Sequence, residues 1–107
     1  MNTDELTFIT TFNFKDNLSK KKFIDFAESE NGIIITKNYK GCLYFDLFDS
    51  KNDENRIIII QKWDSMENKK KYLKMRKEEG TYKFFESLVK SPIELDLLTP
   101  INLNSKL

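Results

Sequence analysis

The sequence has no histidine among its 107 residues, and this absence is its most restrictive feature. It excludes Ser-His-Asp and Cys-His catalysis, histidine zinc sites and a haem held by a proximal histidine. A single cysteine, Cys42, makes no internal disulfide and no tetrahedral zinc site, and a reducing cytoplasm is the expected location. There is also no tight Asp/Glu loop pattern and no glycine-rich nucleotide motif. We therefore predict neither a metal nor an organic cofactor.

Glycine and proline are scarce, with three and two residues, which argues against disorder and loop-heavy small folds. The longest aliphatic run, residues 57–60, is far too short for a membrane span, and the polar amino terminus has no secretory-signal pattern. The formal net charge of +1 gives no global attraction to nucleic acid or to an anionic membrane. The length predicts a single domain, 1–107, with its core at about 6–101.

Periodicity divides the chain into alternating strands and helices. A period of two predicts a strand at residues 6–14, and helical spacing predicts a helix that starts at Asp16 or Asn17. Asn31-Gly32 is expected to end that helix, with Gly32 in the left-handed conformation. The next prediction is a long extended stretch at 33–48, interrupted near 38–41, followed by a hairpin loop at 49–55 and a strand at 56–63. A helix that runs to about 79, a second helix at 81–90 and a strand at 93–97 complete the chain.

Two details of this pattern concern the sheet and the second helix. Within the extended stretch, Cys42 and Tyr44 are expected on one face of the sheet and Leu43 on the other, because side chains alternate along a strand. Asp64 with Glu67, three residues later, predicts a capping box at the start of the second helix. Residues 101–107 are expected to be loose or docked on a partner.

The resulting order is strand, helix, strand, strand, helix, strand. Two interleaved β-α-β units of this kind form a ferredoxin-like α+β fold, a four-stranded antiparallel sheet with both helices on one face. Residues 42–45 and 57–60 are apolar at every position, so both faces of the sheet are apolar while the helices cover only one. We therefore expect a homodimer in which two open sheet faces pack together as a dimeric α+β barrel.

Three stretches resemble the antibiotic biosynthesis monooxygenase family: residues 41–46, residues 57–65 with their Trp-Asp-Ser step into the helix, and residues 97–101. The likeness covers roughly residues 6–101. It implies a dimeric α+β barrel, with a pocket between sheet and helices in each protomer. It also implies oxygen insertion into quinols or polycyclic aromatics without metal or flavin. Another branch of the family degrades haem with a histidine ligand, which this chain does not have.

The resemblance also indicates site residues. Trp63 matches the family's tryptophan at the end of the third strand, and nine residues later Tyr72 stands where the family often has a pocket histidine. Both are candidate catalytic residues that would donate hydrogen bonds to a substrate oxygen; tyrosine, with a pKa near 10, is a poor base at neutral pH. Asn13, Tyr44 and Phe85 are candidate substrate-binding residues. The structural alternatives are core packing for Trp63, an ordinary half-buried Tyr72 and a strand-end turn at Asn13.

Other conspicuous residues have simpler explanations. Six positive side chains between residues 69 and 77 are interpreted as the solvated face of a helix rather than a nucleic-acid patch. Cys42 is expected to be a buried, inert thiol. Glu94 and Asp96 are interpreted as alternation on an exposed edge strand rather than a catalytic pair.

Two functions follow from these observations. The first is a cofactor-independent monooxygenase acting on a quinol or another small electron-rich aromatic, for which the sequence offers no obvious base. The second is a non-catalytic dimeric barrel that binds an apolar ligand or has a stress-related role; the missing histidine favours it.

Overall fold

The computed structural model describes residues 5–101 and residue 103. Its strands form one antiparallel sheet in the order β2-β3-β1-β4, the arrangement of the ferredoxin-like α+β fold that the order of elements predicts. Within this part of the chain, none of the helices combines the length and apolarity needed to cross a membrane. In chain order the elements are β1 (Leu6–Asn13), α1 (Asn17–Glu28), α2 (Ile33–Lys37), β2 (Cys42–Asp49), β3 (Arg56–Trp63), α3 (Met66–Glu78), α4 (Thr81–Leu88) and β4 (Glu94–Leu98).

The two central strands have a helix-covered face and an open face. On the covered face Phe12 pairs with Ile57 and Phe8 with Gln61, whereas Ile9 and Ile60 pair on the open face. Seven buried residues at one end of the covered face form what we call the phenylalanine cluster: Phe12, Phe14, Phe23, Ile57, Ile59, Leu88 and Val89. The apolar core therefore lies between the sheet and the helices.

The extended stretch predicted at residues 33–48 is wrong in its first part, where the chain forms the short helix α2. Three consecutive isoleucines at residues 33–35 favour a strand by propensity. Long-range contacts decide otherwise: Thr36, in the last turn of α2, is buried, and its hydroxyl bonds to the Tyr72 hydroxyl at 2.6 Å. Such contacts override local propensity in a segment of only five residues.

Glycine acts at two helix boundaries in different ways. Gly80 follows α3 with φ 84°, the left-handed conformation that glycine adopts without strain, and the predicted end of the helix is confirmed. Gly32 has φ −93°, so the left-handed conformation predicted there is wrong. A side chain at position 32 would collide with the main-chain oxygens of Phe26 and Ala27, and this close approach explains the glycine.

The start of α3 and the start of β2 also differ from prediction. Ser65 is the N-cap of α3 and accepts a hydrogen bond from Asn68 N at 3.2 Å, so the predicted pairing of Asp64 with Glu67 is wrong although the helix is confirmed. In β2 the register shifts between Cys42 and Tyr44. This irregularity turns Cys42 toward the helix-covered face and leaves Tyr44 exposed, so the two residues do not share a face.

Ile101 and Leu103 are exposed and have no regular structure. The rest of the tail predicted at residues 101–107 lies outside the described residues.

Candidate active site

At the other end of the covered face, a lysine is buried among three aromatic rings. The Nζ atom of Lys69 lies 5.0 Å from the ring centroid of Phe8, 5.2 Å from that of Trp63 and 5.5 Å from that of Tyr72. It donates a hydrogen bond to Oε1 of Gln61 at 2.7 Å, and only 3% of Lys69 is exposed. We call these five residues the lysine cage. The prediction that this residue belongs to a solvated helix face is wrong.

Helical spacing explains why Lys69 is buried while its neighbours are not. Residues three and four apart share a helix face, so Lys69, Tyr72 and Arg76 form one stripe along α3. All three are buried, whereas Lys70 and Lys71 are exposed. Lysine and arginine have long aliphatic stems that pack against rings, which lets such a stripe serve as the buried face of a helix.

Burial lowers the pKa of the Lys69 amine to about 8, because the charged form loses its hydration; the nearby Cys42 opposes this shift. Among the described residues, no carboxylate lies within ion-pair distance of Lys69. The three ring faces stabilise the ammonium form only in part. Near pH 8 the amine is therefore divided between a protonated form and a neutral form that can accept a proton.

Gln61, on strand β3, fixes the geometry of the cage from the sheet side. Its Oε1 accepts hydrogen bonds from Lys69 Nζ and from Trp63 Nε1, the latter at 2.8 Å, and its Nε2 donates to Thr10 Oγ1 at 3.3 Å. Two donors on one oxygen leave the side chain a single orientation of its amide. The Trp63 ring is thereby held against Tyr72, with 5.0 Å between the ring centroids.

Arg76 is the second buried cation of α3, and only 3% of it is exposed. Its five N–H groups all find acceptors within the chain, in a set that we call the arginine clasp: the hydroxyls of Tyr72 and Thr36, the main-chain oxygens of Asn31 and Gly32, and the Glu79 carboxylate. Burial alone would lower the pKa of Arg76, but Tyr72 and Glu79 outweigh it and raise the pKa. The clasp thus ties α3 to the turn between α1 and α2.

A cavity of about 40 Å³, partly open at the surface, lies beside the clasp between the sheet and the helices. Tyr72, Thr36 and Arg76 line its polar side, and Phe85 is among its apolar walls. This volume has room for about one to three molecules the size of water. It cannot hold an aromatic substrate without movement of the surrounding side chains.

The structure brings three of the five predicted site residues together. Trp63 is fully buried in the lysine cage, Tyr72 lies between the cage and the cavity, and Phe85 lines the cavity. Asn13 and Tyr44 lie on the open face, by their register on β1 and β2.

The two open-face residues are bonded to their neighbours. Asn13 donates to Glu94 at 3.2 Å and accepts from Arg56 Nε at 2.8 Å. Tyr44 donates to Asp46 at 3.3 Å. Neither side chain faces the cage or the cavity.

Sequence reasoning missed Lys69, Gln61, Arg76 and Thr36. The only signal was the spacing of Lys69 and Arg76 around Tyr72, which places two cations on the face that carries the tyrosine. Among the described residues there is no group of three or more His, Cys, Asp and Glu side chains placed to hold a metal ion.

Comparison with known proteins identifies relatives of this fold. Residues 21–84 match the family model described as antibiotic biosynthesis monooxygenase. No curated protein matches the sequence. Among solved structures, a conserved protein from Methanosarcina mazei Go1 superposes with a TM-score of 0.79 at 8% identity, covering 91% of this chain and 93% of that one.

Two further structures cover nearly the whole chain. A candidate antibiotic biosynthesis monooxygenase from Bacteroides thetaiotaomicron has a TM-score of 0.77 at 13% identity, over 100% of this chain and 99% of that one. SnoaB, a cofactor-independent oxygenase from Streptomyces nogalater, has a TM-score of 0.72 at 15% identity, over 97% and 100%. At these identities the structural likeness establishes the fold.

Proposed function

Since the chain belongs to the antibiotic biosynthesis monooxygenase family, we propose that it oxygenates a small electron-rich aromatic, such as a quinol or an anthrone, without a bound metal or organic cofactor. The observation that carries this proposal is the buried amine of the lysine cage. A similar fold in a cofactor-independent oxygenase supports it.

The chemistry needs a base, and Lys69 supplies one. An aromatic substrate reacts with dioxygen once it has lost a proton, because its anion is a far better electron donor. Lys69 has a pKa of about 8, so a useful fraction of its amine is neutral near that pH and can accept the proton. The ammonium that forms is held by Gln61 and the three rings and lies beside the substrate anion.

The oxygenation step balances without a reductant. For an activated methylene of the anthrone type, the substrate carbanion and dioxygen form a carbon–oxygen bond, and the resulting peroxide takes up a proton. Loss of the second methylene proton then breaks the oxygen–oxygen bond. One oxygen atom stays as the carbonyl and the other leaves as water. The four electrons lost by carbon are those that dioxygen gains.

We assign Trp63 and Tyr72 as walls of the substrate site. Trp63 Nε1 already donates to Gln61, and the Tyr72 hydroxyl is bonded to Thr36 and Arg76. Both rings are buried in the closed cage, so they would pack on an aromatic substrate only after neighbouring side chains move.

The substrate would enter from β4. Leu95 and Leu97 pair with Thr10 and Phe8 and so lie on the helix-covered side of the sheet, yet they are 57% and 43% exposed. These two leucines form an apolar ledge that borders the Phe8 wall of the lysine cage. An aromatic ring on the ledge would approach Lys69 from that side.

Oxygen uptake by the chelator-treated protein, with a panel of hydroquinones and anthrones, tests the proposal. We expect uptake above the protein-free rate, a rise in rate as the pH passes about 8, and at least a tenfold loss in Lys69→Met. Lys70→Met, an exposed neighbour on the same helix, is the matched control and should keep the wild-type rate. An unchanged rate in Lys69→Met would remove the base assigned here.

We also propose that the protein is a homodimer through its open face. Ile9 and Ile60 pair there, and Tyr44 and Phe48 are each more than one-third exposed. A second copy of the sheet would cover these apolar groups. Light scattering should give twice the chain mass for the wild type and a single chain mass for Ile60→Asp. Ile35→Asp, on the exposed side of α2, should remain dimeric.

A non-catalytic barrel that binds an apolar ligand is the second candidate. The internal hydrogen bonds of Trp63, Tyr72 and Arg76 favour it, because they leave these polar groups little to offer a substrate. Apolar aromatics that raise the melting temperature without oxygen uptake or product would support this function over the first.

A further inference from the structure

Among the described residues, one hydroxyl hydrogen beside the arginine clasp has no acceptor. Arg76 donates to the Tyr72 hydroxyl at 2.9 Å and to the Thr36 hydroxyl at 3.0 Å, and the two hydroxyl oxygens lie 2.6 Å apart. The two hydroxyl groups carry two hydrogens, and the hydrogen bond between them uses one of these. In the described part of the chain no acceptor is bonded to the second hydroxyl hydrogen. The cycle of three hydrogen bonds therefore leaves one O–H over.

The remaining walls of the cavity are apolar. They include Phe23, Phe45, Ile59 and Phe85, and the volume is about 40 Å³. The cavity is partly open at the surface, and water that enters it would find one free donor on its walls, fewer than the two to four polar partners that hold an ordered buried water. The occupant that fits is a molecule of about two heavy atoms that enters without polar groups and can accept one hydrogen bond.

We propose that this cavity binds dioxygen for the oxygenation reaction, an inference that rests on the proposed function. Tyr72 connects the two sites, because its ring is a wall of the lysine cage and its hydroxyl lines the cavity. One electron passes from the substrate anion to dioxygen, which gives a substrate radical and superoxide. The carbon–oxygen bond forms when the two combine.

The clasp is suited to the negative charge that develops on oxygen. The spare O–H donates to the superoxide, and the guanidinium of Arg76 adds a fixed positive charge beside it. Because these groups are already held by one another, they need no reorganisation when the electron arrives. Arg76 and Thr36 are thereby assigned to the oxygen side of the reaction and Lys69 to the substrate side.

Xenon is the probe for this site, since it binds in cavities with mainly apolar walls and is chemically inert. The ¹²⁹Xe chemical shift of the wild-type protein should show one saturable site, and xenon pressure should inhibit turnover competitively with dioxygen. The competition needs no variant. If wild-type protein takes up no xenon, or if inhibition is not competitive with dioxygen, the cavity is not the dioxygen site.

A cavity-filling variant gives the second test. Ala27 is buried and lines the cavity, so Ala27→Val should abolish the xenon site and raise the KM for dioxygen at least threefold. The KM for the aromatic and the kcat at saturating dioxygen should change less than twofold. Val89→Ile, which enlarges a side chain in the phenylalanine cluster, is the control and should change neither KM. An unchanged KM for dioxygen in a folded Ala27→Val that has lost xenon would overturn the proposal.

The two proposals fail differently. No turnover by wild-type protein would overturn the proposed function and with it a role for dioxygen here, whatever xenon shows. If the protein turns over substrate but neither xenon nor Ala27→Val changes the dependence of the rate on dioxygen, the proposed function is supported and only the assignment of the cavity is overturned.

Discussion

The same two strands build two unlike halves of the core. Toward one end, Phe12 and Ile57 anchor the phenylalanine cluster, in which Phe12 and Phe23 lie 4.8 Å apart between ring centroids. Toward the other, Phe8 and Gln61 occupy equivalent positions of the ladder, but the helix above them contributes Lys69. One half is held by packing, and the other buries Lys69, which has no carboxylate partner among the described residues. The contrast indicates that packing stabilises the first half, and we propose that the second half carries the chemistry.

The largest effect should come from the phenylalanine cluster. Phe12→Ala removes a ring that contacts Phe14, Phe23 and Phe85, and we expect it to lower the free energy of unfolding by about 3–5 kcal/mol. Phe84→Ala, at a partly exposed ring, should cost far less. Urea denaturation measures both. A loss below about 1 kcal/mol for Phe12→Ala would contradict the packing role.

Breaking the arginine clasp should rank next. Arg76→Leu leaves the buried main-chain oxygen of Gly32 and the hydroxyls of Tyr72 and Thr36 without their charged donor, and we expect a loss of roughly 3–4 kcal/mol. Lys77→Leu, at the exposed next residue, is the control. Equal stability of the two variants would show that the clasp does not tie α2 to α3.

Burial of Lys69 in the lysine cage should make the free energy of unfolding depend on pH. The pKa of Lys69 falls from 10.5 to about 8 on folding, so the unfolded chain binds more protons between these values and the wild type gains stability as the pH rises through them. Relative to Lys69→Met, the gain should be roughly 2–3 kcal/mol between pH 7 and pH 10.5. Denaturation across this range measures it. In Lys70→Met the free energy of unfolding should change with pH as in the wild type. The same pH dependence in Lys69→Met would contradict the burial of an unpaired lysine.

The smallest effect should come from the outside of the same helix. Lys71 pairs with Glu67 at 3.1 Å, and both side chains are largely exposed. Because solvent screens such a pair, Lys71→Ala should change the free energy of unfolding by no more than about 0.5 kcal/mol and leave its pH slope intact. Thermal denaturation at two ionic strengths checks this. A larger loss would mean that the outer face of α3 carries structural charges as well.

The fold was predictable where periodicity and burial agree. β1 alternates in sequence, α3 ends before Gly80, and the doubly apolar strand at residues 57–60 lies inside the sheet. α2 was not predictable, since three isoleucines in a row favour a strand and the contacts of Thr36 that decide the helix come from residues far along the chain.

The candidate site was predictable only in part. Trp63 and Tyr72 were predicted from the family resemblance, and the structure places their rings against each other. Lys69 was missed because charge in a run of lysines indicates a solvated face, and only the packing of α3 on Phe8 and Trp63 distinguishes one lysine from the rest. Asn13 and Tyr44 were placed by strand position alone, which did not tell on which side of the sheet they lie.

The most direct test of this account is the titration of Lys69 itself. In protein labelled with ¹³C at lysine Cε, the resonance missing from Lys69→Met identifies the residue, and its shift with pH gives its pKa. We expect one lysine with a pKa of about 8, well below the ordinary lysine value of 10.5. A Lys69 resonance that titrates at the ordinary lysine value of 10.5 would contradict the buried base on which the proposed chemistry depends.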